Sequence, residues 1–188
     1  MPNLLDVHAQ ALDFVGPKVA AITDDQWTRD SVNAGWTVRD LTNHLVSGNF
    51  WVAELVAGKT IEEVGDRLDG DVLGDDAGAA YAASATAAAT AFAEPGAMDR
   101  PVAVSYGPVP GSVYCGHRFI DVLIHGWDIA ESTAQDANLP LDLVEACWEV
   151  VQAEIAAMQG SGAFGEPQPV PDGADLQTKL LAALGRRG

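Results

Sequence analysis

The sequence predicts an all-α protein, a four-helix bundle with an extra C-terminal helix, and three observations carry that prediction. Alanine-rich stretches with apolar residues at helical spacing run through most of the 188 residues. Runs with strand-like character are few, with at most a short extended segment near 101–106. The link at 58–74 is much longer than the others, so the helices that flank it can run parallel while shorter links impose antiparallel neighbours. The resulting order is up-down-down-up.

The first helix is expected over about 3–21, where LLDVHAQALDFV supplies an apolar stripe and Pro17 can kink or split the helix. His8, alone on it, reads as an ordinary surface or packing histidine. The second starts at Thr37 in GWTVRDLTNHLV and runs to about 57. Thr37 and Asp40 have the spacing of a capping box, and Val38, Leu41, Leu45, Val52, Leu55 and Val56 form the core stripe. The glycine-rich, acidic stretch 58–78 reads as a long connection with room for a short helical turn. Its pairs Glu62–Glu63 and Asp75–Asp76 read as solvated charge. YAASATAAATAFA lies in a helix over about 75–94 that stops at Glu94–Pro95–Gly96. RPVAVSYGPVPG gives one extended run and then a proline-glycine turn. Ser112 is placed to cap a helix reaching about 133, another follows over about 141–158, and LQTKLLAALGRR closes the chain as a short helix ending at a glycine.

A chain of 188 residues can bury a real core, and residues 1–188 are read as a single metal-binding bundle domain. Its 27 acidic and 10 basic residues give a formal net charge of −17, which disfavours nucleic-acid and anionic-membrane partners. No apolar run approaches the length needed to span a bilayer, and no signal peptide stands out. Cys115 and Cys147 lack metal-type spacing and read as reduced, buried thiols, which fits a cytoplasmic setting. A bundle of this size with an exposed apolar helix face can also form a homodimer.

The chemistry concentrates in HRFIDVLIHGWD, residues 117–128. At about 100° per residue, Tyr114, His117, Asp121, His125 and Asp128 fall within an arc of about 80°. Apolar residues flank this arc on both sides, so it does not read as a plain solvated face. Asp121 and His125 are spaced i, i+4 and can converge on one ion, but His117 and Asp121 are spaced the same way, and spacing alone leaves both chelates open. A third ligand must come from another helix, and His44 is the candidate. Two imidazoles and a carboxylate leave a coordination position free for water or substrate, the arrangement of catalytic rather than structural sites. Asp40 or Asp128 can accept the other ring N–H of a histidine ligand, and Trp51, Tyr114 and Trp127 are candidates for an apolar pocket wall. No GxSxG, P-loop, GxGxxG or CxxC motif offers another route to catalysis.

GWTVRDLTNHLV, followed after about 75 residues by DVLIHGWDIA, resembles the DinB-like superfamily, and within it the metal-binding N-terminal family of mycothiol-dependent maleylpyruvate isomerase, largely actinobacterial. PVPDGADLQTKLLAALGRR is similar to single-domain members of that group. The resemblance implies a DinB-like four-helix bundle holding zinc or nickel through three side chains. His44 and His125 match two of the ligands, and Asp121 stands where the isomerase has glutamate. The isomerase carries an additional C-terminal domain that the chain, ending at Gly188, is expected to lack. The resemblance therefore implies the broader activity: a metal-dependent transferase or isomerase using a low-molecular-weight thiol such as mycothiol on a small electrophile. The rival reading is a non-catalytic metal- or ligand-binding bundle, a sensor or accessory protein.

Overall fold

The computed structural model describes residues 3–161 and 165–187. Among these, the helices are α1 (Leu4–Ala20), α2 (Val38–Val56), α3 (Ile61–Val64), α4 (Ala77–Ala93), α5 (Gly111–Ser132), α6 (Leu141–Ser161) and α7 (Leu176–Ala183), with strands β1 (Pro101–Val104) and β2 (Gly107–Pro110). They divide into two compact units, residues 4–137 and the remainder. No described helix is long and apolar enough to cross a membrane.

In the larger unit, α1 and α2 each pack against both α4 and α5. The contacts fix the directions. His8 meets Phe92 edge-on and Tyr81 donates to the Leu12 carbonyl, so α1 and α4 run antiparallel. Leu4 lies beside Cys115 and Val15 beside Gly126, so α1 and α5 run parallel. His44 faces Asp121 and Asn49 faces Arg118, so α2 and α5 run antiparallel. Arg39 reaches Gly74 just before α4 begins, and Asn49 bonds Ser84, so α2 and α4 run in the same sense. This is the up-down-down-up order.

The long link makes the parallel pair possible by running back along α2. Ser47 donates to Leu68, Asn43 brackets Gly70 and Val72, and Arg39 pairs with Asp71. Thr37 and Asp40 form the expected capping box on α2, and Thr60 with Glu63 forms a second on α3. Glu63 and Asp76 are thus caps rather than plain solvated charge, since Asp76 accepts from the Ala79 N–H at the start of α4. Pro17 sits inside an unbroken α1, close to its C-terminal end.

Two local expectations are corrected. Residues 107–110, read as a turn, form β2, paired antiparallel with β1 from Pro101↔Pro110 to Val104↔Gly107. Gly107, at φ 115°, supplies the left-handed conformation that the tight connection needs. Ser112 does not cap α5, which has no side-chain cap. Its first donors are met instead by main chain, Gly111 N–H by Arg100 O and Ser112 N–H by Met98 O. A Cβ on Gly111 would lie 2.0 Å from Ala97 O, so only glycine fits there.

In the smaller unit α6 packs on α7. Asp175 caps α7, and the helix ends through Leu184 with Gly185 at φ 83°, the glycine termination expected of this stretch.

Candidate metal centre

α5 is buried over most of its length, and Asp121 lies where its face turns toward the flank of α2. The α2 stripe of Leu41 and Leu45 is buried completely, which leaves His44 on the shoulder of the helix with its side chain 39% exposed. Antiparallel packing brings this shoulder against Asp121 and His125. One donor atom from each of His44, Asp121 and His125 lies within 4.8 Å of the others. Asp121 Oδ1 is 3.5 Å from Nε2 of His44 and 3.5 Å from Nε2 of His125. Ligands held about 2.1 Å from a tetrahedral ion stand about 3.4 Å apart, so the donor set fits such an ion in both chemistry and spacing.

The surroundings fix the orientation of each donor. His125 Nδ1 lies 2.8 Å from Oδ2 of the fully buried Asp128, which also accepts from Asn33 Nδ2. A carboxylate can only accept, so Nδ1 carries the proton and Nε2 presents its lone pair to the cluster. Of the two proposed acceptors, Asp128 fills that place. Asp40 is exposed, its carboxylate occupied by the Thr37 N–H and hydroxyl. Asp121 Oδ2 accepts from Arg118 Nη1 at 2.8 Å, which leaves Oδ1 for the cluster. Burial works to raise the Asp121 pKa, but Arg118, His125 and His44 outweigh it and hold the carboxyl well below the usual carboxylate range. Trp36 lies over the two imidazoles, its ring 5.0 Å from that of His44 and 6.3 Å from that of His125.

His117 points elsewhere. Its Nδ1 shares a hydrogen bond with the Tyr106 hydroxyl at the tip of the β-hairpin. Trp51 and Tyr114 line a cavity of about 220 Å³ together with residues of α2, α3 and the hairpin, whereas Trp127 is buried and is not among its lining residues. His8 is buried as a packing histidine, and Cys115 and Cys147 are free buried thiols.

Sequence reasoning missed three contributors. Arg118 is 92% buried, and its guanidinium crosses to α2, where Nη2 donates to Asn49 Oδ1. The signal was present, since Arg118 precedes Asp121 by three residues and an i, i+3 pair shares a face. Asn33 and Trp36 arrive from the loop before α2, and no spacing rule reaches them.

A family model described as the mycothiol maleylpyruvate isomerase N-terminal domain matches residues 8–130, which contain the whole cluster. Two uncharacterized proteins of Mycobacterium tuberculosis, from strains CDC 1551 and H37Rv, are each 33% identical over 184 residues, 97% of either chain. Among solved structures, a mycothiol-dependent maleylpyruvate isomerase superposes with a TM-score of 0.70 at 19% identity, covering 99% of this chain and 90% of that one. A histidine-to-alanine variant of such an isomerase gives 0.65 at 18%, covering 86% and 74%. At these identities the likeness is one of fold.

Proposed function

The chain belongs to the mycothiol maleylpyruvate isomerase N-terminal domain family, and from that premise we propose that it is a divalent-metal-dependent transferase or isomerase acting on a small electrophile with a low-molecular-weight thiol such as mycothiol. The observation that carries this reading is the convergence of His44, Asp121 and His125 from two antiparallel helices. His44 Nε2, His125 Nε2 and Asp121 Oδ1 would hold the ion, zinc or nickel. When bound, the ion supplies the acidity that turns a coordinated thiol into a thiolate at neutral pH. Asp128 keeps the His125 lone pair facing the cluster, and Arg118 holds Asp121 to a single donor oxygen. Two neutral imidazoles and one carboxylate offset a single positive charge, so a divalent centre keeps a net charge of about +1, favourable to an anionic sulfur. Three donors leave a position open, and the exposed flank of His44 gives a thiol its approach. A transferase would form a C–S bond as the electrophile's π bond or leaving-group bond breaks, the thiol proton passing to the adjacent atom or to the leaving group. An isomerase would add the thiol across a double bond and, after rotation about the resulting single bond, eliminate it, returning thiol and proton.

The test is consumption of mycothiol, or recovery of an isomerised product, on protein prepared without a histidine tag and loaded with zinc or nickel. Turnover that needs the ion, stops on chelation and is lost in His125→Ala supports the reading. An ion bound tightly with no turnover across a panel of thiols and electrophiles would establish the rival, a non-catalytic binding protein.

A further inference from the structure

The cavity beside the hairpin belongs to the same seam as the cluster. Trp51 follows His44 by seven residues on α2, and Tyr114 precedes Asp121 by seven on α5. Seven residues make nearly two helical turns and about 10.5 Å, so both aromatic residues keep the bearing of the ligand in their own helix. Because α2 and α5 are antiparallel and His44 faces Asp121, two turns along each helix lead to one place, where Trp51 and Tyr114 line the same cavity. His117 lies between Tyr114 and Asp121 on that face, and its partner Tyr106 is itself part of the cavity wall.

The lining contains three aromatic rings, apolar Leu55, Ile61 and Val104, and a serine, with no charged side chain. Arg118, the cation on this stretch of α5, is committed to Asp121 and Asn49. A volume of about 220 Å³ equals roughly seven waters at liquid density, which suits one ring or a short alkyl chain. A net charge of −17 adds long-range repulsion of anions. Resting on the thiol-transfer reading of the centre, we infer that the Trp51–Tyr114 cavity holds the apolar body of an uncharged, elongated electrophile whose reactive carbon extends along the seam toward the cluster. A dicarboxylate finds no counter-charge there. The hairpin tip, through Tyr106, sets the far wall and with it substrate length.

The experiment measures binding of the unreactive neutral ketone 4-phenylbutan-2-one by calorimetry without any thiol, with maleate as the dicarboxylate comparator. Ile61→Trp fills the cavity from an exposed position at the start of α3, and Val104→Phe fills it from the hairpin; melting temperature and metal content monitor their folding. Native protein should bind the ketone, both variants should bind it roughly tenfold more weakly or worse, and maleate should not compete. Ketone binding that is absent from native protein, unchanged in both folded variants, or displaced by maleate overturns the inference. Because no thiol is present, the outcome is separate from that of the turnover test.

Discussion

Two buried residues give direct tests at the residue scale. Arg118 ties the Asp121 carboxylate to Asn49 across the α2–α5 interface, and a Cβ on Gly48 would lie 2.5 Å from its Nη1, so a larger residue at 48 would displace the guanidinium. Arg118→Met should destabilise the fold by about 3 kcal/mol, because it strands a largely buried carboxylate. It should also change the absorption spectrum of a cobalt-loaded centre, which a purely structural residue would leave alone. Arg118→Lys should restore part of the stability but not the two-point hold. His8 gives a pH test. Burial first, and then the nearby Arg118 charge, lower its pKa from 6.5 to about 3. The folded protein therefore keeps His8 neutral where the unfolded chain takes up a proton, and the stability present above pH 6.5 is lost as pH falls toward 3. The loss is about 1.4 kcal/mol per pH unit. Denaturant unfolding at pH 7 and pH 5 should show this slope in the native protein and a shallower one in His8→Leu.

Glycine contacts decide the fit between elements. Gly126, inside the HGWD stretch, faces Val15 of α1, and an added Cβ would lie 2.3 Å from Val15 Cγ2. Gly126→Ala should lower stability by about 1–3 kcal/mol, and the second change Val15→Ala should recover part of it. A melting temperature unchanged in Gly126→Ala would show that α1 and α5 are not held this closely. What could be read from the sequence was mostly local. The capping box at Thr37–Asp40 and the helix spans follow from spacing within about one turn, whereas spacing offered Asp121–His125 and His117–Asp121 alike and only the family resemblance favoured His125. The parallel run of α2 and α4 was readable because a long link is itself a local fact. The choice of Asp128 over Asp40, the cover provided by Trp36 and the inward turn of Arg118 depend on the register between α2, α5 and the preceding loop. That register is set by packing between distant segments. The hairpin was half visible because prolines at 108 and 110 mask a strand that, among the described residues, pairs with β1 alone.

For the whole molecule, the family match over residues 8–130 and the cluster both lie within the larger unit, which contains every donor of the proposed centre. The net charge of −17 predicts that turnover of an anionic electrophile rises with ionic strength between about 0.01 and 0.15 M while that of a neutral one stays level. Equal salt dependence for both would remove long-range charge from the account. The central claim is that His44, Asp121 and His125 hold one divalent ion, and elemental analysis of untagged protein tests it most directly. Native protein and His117→Ala should each carry about one ion per chain, whereas His44→Ala, Asp121→Ala and His125→Ala should each lose most of it. Retention of the ion by His125→Ala together with its loss from His117→Ala would contradict the assignment.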